Sequence, residues 1–190
     1  MNFHRRRPPH LQVEGTPQFV TFCLADAWEG RWNSQLQHLP EELRLVAANR
    51  LLDERPYGEC LLGRAEIAVV VAEALAWRAG QQYALHAYTI MPNHVHLLIT
   101  PNSGFRLGRI LQQLKSYTAL EIHRALGRQG SLWQADYWDR YIRDGEHFER
   151  AMNYIQMNPV KGGLAEGPEC WPWTWWEGKD QAVPSTTRRS

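Results

Sequence analysis

Two runs of strand-forming residues, Tyr83–Ile90 and His94–Ile99, stand three residues apart, with Pro92-Asn93 between them. Proline presets the first corner of a tight turn and asparagine tolerates the second, so the two runs predict an antiparallel hairpin near the middle of the chain. A central hairpin must have both faces covered and its edges extended, and this limits what the flanking segments can be. Gln18–Leu24 is rich in β-branched and aromatic residues and predicts a strand. Ala65–Trp77 repeats its apolar residues at helical spacing. Phe105–Leu126 places Leu107, Ile110, Leu111, Leu114, Thr118 and Ile122 on one stripe of a long helix. Tyr137–Arg143 alternates as a short strand, and Glu146–Met157 predicts a helix that stops ahead of Pro159. Pro40 opens a further helix carrying Leu43, Val46, Ala47 and Leu51, closed by Pro56, with loop expected over residues 28–37. With that helix set aside, the order is strand, helix, strand, strand, helix, strand, helix. It predicts an α+β fold: a ferredoxin-like antiparallel sheet with helices packed on it.

Length and composition narrow the class. The chain has 190 residues, 44% of them hydrophobic, which suits one domain and excludes a disordered chain. The expected division is a flexible basic arm over 1–16, a domain over 17–176 and a disordered polar tail over 177–190. No apolar run reaches the roughly 18 residues of a membrane span, and the Arg-rich start lacks the apolar core of a secretory leader. Three widely spaced cysteines argue against a disulfide scaffold or a structural zinc site and fit a reducing cytoplasm. The net charge of +1 conceals an uneven distribution. Residues 1–12 carry +3 and residues 101–128 carry +4, against −4 over 13–100 and −2 over 129–190. Two basic blocks of this kind suit phosphate binding. There is no Gly-rich phosphate loop and no serine elbow, which removes nucleoside triphosphatases and serine hydrolases from consideration.

The chemistry-bearing residues lie in the second half. Side chains alternate along a strand, so His94 and His96 share one face while Val95 turns to the other, and two imidazoles on one face can grip a divalent metal. In the helix that follows, Tyr154 and Asn158 are spaced i, i+4 and share a face. The Asn158 amide oxygen offers a third ligand, with Tyr154 one turn away beside whatever the metal binds. Two neutral imidazoles and one oxygen leave positions for water and phosphate oxygens, which suits Mg2+ or Mn2+ better than a closed zinc site. Tyr117, with Glu121 four residues on, is a competing nucleophile–ligand pair, and residue chemistry alone does not choose between the two.

A longer pattern bears on that choice. Met91-Pro92-Asn93-His94-Val95-His96-Leu97-Leu98 is followed by Leu132-Trp133-Gln134 and Asp139-Arg140-Tyr141-Ile142-Arg143. Tyr154-Ile155-x-x-Asn158-Pro159-Val160-Lys161-x-Gly163-Leu164 and Trp171-Pro172-Trp173 come next. In this order the series resembles the REP-associated single-tyrosine transposases of the HUH endonuclease superfamily, over residues 17–176. The resemblance implies the HUH variant of the ferredoxin-like fold. It puts the histidine pair on His94 and His96, the third metal ligand on Asn158 and the nucleophile on Tyr154. Tyr117 falls where relatives also carry phenylalanine. Two stretches depart from the pattern: residues 26–60 do not align, and Trp173-Thr174-Trp175 stands where relatives often read x-Ser-Ser.

The implied activity is metal-dependent cleavage and transfer of single-stranded DNA at palindromic hairpins through a 5′-phosphotyrosine, with Mg2+ or Mn2+ as cofactor. The protein would act in the bacterial cytoplasm at the nucleoid, as a monomer or homodimer, with no membrane partner. Candidate DNA contacts are Arg5, Arg6 and Arg7 on the arm, Arg106, Arg109, Lys115 and Arg124 on the long helix, and Lys161 after the tyrosine helix. Trp133, Trp138 and the cluster from Trp171 to Trp176 are candidates either for stacking on bases or for packing. A hairpin-binding protein without catalysis is the alternative function, and a small metallohydrolase is a third.

Overall fold

The computed structural model describes residues 15–27, 38–54 and 57–179. The arm with Arg5, Arg6 and Arg7, the loop expected over 28–37 and tail residues 180–190 lie outside them. In chain order the elements are β1 (Gln18–Cys23), α1 (Glu41–Glu54), α2 (Ala65–Arg78), β2 (Tyr83–Ile90), β3 (His94–Pro101), α3 (Leu107–Leu126), β4 (Trp138–Tyr141), α4 (Gly145–Lys161) and β5 (Thr174–Trp176). The strands form one antiparallel sheet in the order β4-β1-β3-β2-β5. This is the expected ferredoxin-like sheet with one strand added beside β2.

Strand alternation sorts the apolar residues into two cores. Val20, Phe22, Tyr88, Ile90, Val95, Leu97 and Ile99 face α2 and α3, meeting Ile67, Val71 and Leu75 of the first and Leu107, Ile110, Leu111, Leu114 and Ile122 of the second. All six stripe residues expected on the long helix are buried. Phe19, Ala87, Leu98 and Ile142 face the other way and pack on Ala151 and Ile155 of α4. The sheet is thus covered on both sides, with α2 and α3 on one face and α4 on the other.

Three expectations change. First, α4 does not stop ahead of Pro159 but runs through it to Lys161. Proline removes only the bond its own N–H would make to Ile155, and burial of Ile155, Asn158 and Pro159 against the sheet holds the last turn in place. The amides of Gly162 and Leu164 then close the end on the carbonyls of Asn158 and Pro159. The other end of α4 is capped by Asp144, whose carboxylate accepts from the His147 amide at 2.7 Å. Second, the first helix forms, but Leu43 and Val46 are 53% and 55% exposed, and Ala48 and Leu52 are buried instead. α1 meets the body along its C-terminal half. Third, residues 174–176 form a strand, and the tryptophans around it pack. Trp171 Nε1 donates to the Ile90 carbonyl, Trp175 stacks on Tyr88, and Trp173 and Trp138 lie against the main core. Trp133 is buried edge-on to Phe22 and donates to Thr118 Oγ1 at 2.9 Å. Among the described residues no helix is long and apolar enough to cross a membrane.

Leu97 is fully buried at the centre of the main core, so Leu97→Ala should lower unfolding free energy by about 2–5 kcal/mol in chemical denaturation. Leu120→Ala, at a position 49% exposed, should change it by less than about 0.5 kcal/mol.

Candidate active site

The turn at Pro92-Asn93 fixes the start of β3, and the alternation beyond it sets His94 and His96 on the α4 face, both fully buried. Their Nε2 atoms are 3.1 Å apart, and Asp53 Oδ1, from the last turn of α1, is 3.1 Å from each. The three ligand atoms make an equilateral triangle. The outer nitrogens fix how the rings stand. His94 Nδ1 is 2.8 Å from Asn93 Oδ1, and the Asn93 amide nitrogen donates to the Tyr57 carbonyl, so Asn93 presents an acceptor to that ring. His94 Nδ1 therefore carries the proton and Nε2 a lone pair. His96 Nδ1 is 2.8 Å from the Thr21 hydroxyl, which can accept in the same way.

Burial pushes the His94 imidazole down to about 4, assisted by His96 and opposed by Asp53, so the ring is neutral at pH 7. Burial alone would raise the Asp53 carboxyl. Hydrogen bonds and charge from the two imidazoles, present when their Nε2 atoms carry protons, outweigh it and hold Asp53 well below the usual carboxylate range. Three electron-rich atoms thus converge on one point, an arrangement that requires a proton or a cation. The donor set is two imidazoles and a carboxylate, the combination that holds divalent first-row metals. An ion bonded at about 2.1 Å to ligands at right angles sets those ligands about 3 Å apart, so the triangle fits one.

Tyr154 lies over this cluster. Its ring is edge-on to His96 at 5.2 Å and to Phe19 at 5.7 Å, and its hydroxyl donates to Asp53 Oδ2. One carboxylate therefore serves the histidines with one oxygen and the tyrosine with the other. Burial, then the Asp53 charge, raises the Tyr154 phenol well above its ordinary value, and the Asn158 amide opposes this weakly. Asn158 is itself fully buried one turn on, and apart from a loose approach to the Tyr154 hydroxyl its amide oxygen and nitrogen have no hydrogen-bond partner. An orphaned amide beside the triangle has the donor chemistry of a further ligand.

His94, His96, Tyr154 and Asn158 thus gather on the α4 face of the sheet. Lys161 stands close by, its Nζ 5.5 Å from the centre of the Tyr154 ring, lying over the ring face. Tyr117 is on α3, across the sheet from the histidines, 42% exposed and under the Arg78 guanidinium. Glu121 pairs with Arg124 at 2.9 Å on the surface of that helix. Arg106 precedes α3, Arg109 donates to Gln112, and Lys115 holds the carbonyls of Ala135 and Asp136. The basic residues of α3 and the histidine pair thus lie on opposite faces of the sheet. Sequence reading missed Asp53. The available hint was the polar pair Asn49 and Asp53, spaced i, i+4 beside the apolar pair Ala48 and Leu52.

Residues 69–158, just under half of the chain, match the family described as "Transposase IS200 like". More particularly, the chain is similar to REP-associated tyrosine transposases. A Haemophilus influenzae protein of that description is 30% identical over 98 residues, 46% of this chain and 56% of that protein. An Escherichia coli K12 protein so described is 25% identical over 93 residues, 48% of this chain and 53% of that one. The matches span about half the length of these relatives. The fold is shared with a solved REP-associated tyrosine transposase bound to a REP hairpin, at a TM-score of 0.52 and 18% identity over 92% of this chain and 82% of that one.

Isothermal titration with Mn2+ should find one site per chain. Asp53→Asn, which removes one charge from the donor set, should weaken it by about tenfold or more. An unchanged affinity would remove Asp53 from the ligand set.

Proposed function

We propose that the chain is a metal-dependent nickase and strand transferase of single-stranded DNA at REP-type hairpins, with Tyr154 as nucleophile and His94, His96, Asn158 and Asp53 as the metal-holding residues. The observation that carries this reading is the shared carboxylate: Asp53 meets both imidazoles and the Tyr154 hydroxyl at once. A metallohydrolase would place a water, rather than a half-buried tyrosine hydroxyl, at that carboxylate. The hairpin bound by the structural relative and the descriptions of the two sequence relatives support the substrate.

The Tyr154 oxygen attacks the phosphodiester phosphorus, the bond to the 3′ oxygen breaks, and a 5′-phosphotyrosine and a 3′-hydroxyl result. Asp53 Oδ2 accepts the Tyr154 hydrogen bond and so orients the phenol oxygen beside the histidine pair. A divalent cation, Mg2+ or Mn2+, supplies positive charge that polarises the phosphate and offsets the carboxylate now favouring the neutral phenol. Phe19 and His96 pack the Tyr154 ring on two sides and fix the direction of its oxygen. The phosphotyrosine retains the energy of the original ester, so attack by another 3′-hydroxyl reverses the step and joins strands. Such an enzyme works where bacterial DNA is, in the cytoplasm at the nucleoid, from a domain over 17–176 between a basic arm and a polar tail.

Incubation with a labelled hairpin bearing a single-stranded extension should give a covalent protein–DNA adduct on a denaturing gel in Mg2+ or Mn2+ and none after chelation. Tyr154→Phe should abolish it and Tyr117→Phe should keep it. An adduct that survives Tyr154→Phe would overturn the assignment. Hairpin binding without adduct in either metal would leave a binding protein instead.

A further inference from the structure

A cavity of about 250 Å3 opens beside Tyr154, lined by neither His94 nor His96, and the chemistry proposed above makes no use of it. Its walls come from three parts of the fold. Phe19 and Arg140 are cross-strand partners on β1 and β4, His147 and Arg150 project from the first turns of α4, and Asn49 comes from α1. Three properties of this cavity point to one kind of occupant. It is small and partly aromatic, with room for one unstacked base. It is positive: Arg140 makes no ion pair among the described residues, and Arg150 has only the exposed i, i+4 partner Glu146. His147 registers that field, since burial, then Arg140 and Arg150, hold its imidazole below the ordinary value against the opposing Asp144. Finally, one of its lining residues carries an unused acceptor. Asn49 is 7% exposed, and its amide oxygen has no hydrogen-bond partner. A buried carbonyl oxygen left unpaired is a cost unless a ligand N–H arrives to meet it.

We propose that this cavity seats the single nucleotide adjoining the bond that Tyr154 attacks, so that Asn49 reads its base while Arg140 and Arg150 hold its phosphate. The inference rests on the nickase reading and deepens it. The base lies against Phe19 and gives an N–H from its edge to Asn49 Oδ1, an acceptor that distinguishes bases by where their donors stand. The guanidiniums contact the backbone and carry no sequence information. Selection at the cut site would thus come from α1 and the β1–β4 edge, separate from whatever surface holds the hairpin.

The test uses the full chain and a pool of hairpins randomised on both sides of the cleaved bond, with the adducts sequenced. Wild type should favour one base at one flanking position by about tenfold. Asn49→Ala should flatten the preference at that position and leave the other positions as they were. An abasic nucleotide there should slow wild type about as much as Asn49→Ala does, and should add nothing in the variant. Arg150→Ala changes an exposed side chain and does not endanger the fold. It should weaken binding of a single-stranded oligonucleotide spanning the cut several-fold and lower the salt dependence by about one ion. Adducts with unchanged preference in Asn49→Ala, or unchanged binding and salt dependence in Arg150→Ala, would overturn the cavity's role and leave the nickase reading intact. No adduct from wild type on any member of the pool would overturn both.

Discussion

β3 lies between β1 and β2, so both of its hydrogen-bonding edges are taken, and both of its faces are buried. A slip of one residue would drive Val95, Leu97 and Ile99 out of the main core and bring His94 and His96 into it. The apolar half of the strand therefore enforces the position of the histidines. The α4 face then receives everything else the site contains. Ala151 and Ile155 seat the helix on Phe19, Ala87 and Leu98, and Tyr154 and Asn158 follow because they share a helix face with those anchors.

The second constraint is electrostatic. His94 is held neutral by burial and oriented by Asn93, and Asp53 stays ionised between the two rings and the tyrosine. Each group alone would be costly at that depth, and together they are tolerable only around shared charge. α1 therefore contributes to the site as well as to packing. Its end approaches α4 at Gly162, where a Cβ would come within 3.5 Å of the Asp53 carbonyl and 3.1 Å of the Met91 side chain.

The same sheet that gathers these residues keeps others apart. Tyr117 and Glu121 have the spacing of a nucleophile and a ligand, yet α3 packs on the Val95 side, and a full sheet thickness lies between them and the imidazoles. The basic block of residues 101–128 shares that face. Around Tyr154 the positive charge comes instead from Arg140, Arg150 and Lys161, in a segment whose total charge is negative. Net charge by segment records how many charges a stretch holds, not which face each one occupies.

Much of this was legible in the chain itself because it is local. Period-two alternation fixed which face of β3 carries the histidines, the stripe from Leu107 to Ile122 gave the buried side of α3, and the i, i+4 spacing joined Tyr154 to Asn158. The hairpin, the α+β class and the order of the other elements along the chain followed from the same periodicities. The persistence of α4 through Pro159 was not legible, since burial of its flanking residues outweighs proline's local preference. Nor was the strand at Thr174–Trp176, three residues long and stabilised by pairing with β2 some 85 positions earlier. Asp53 shows the limit most plainly. It lies 41 residues before His94 on a helix whose apolar pattern pointed to Leu43 and Val46, and the one local hint, its i, i+4 pairing with Asn49, does not say which element it meets. The sequence alone determined which residues share a face of an element. Only the tertiary structure decided which faces meet, because that depends on how the two sides of one sheet are covered, a property of the whole chain.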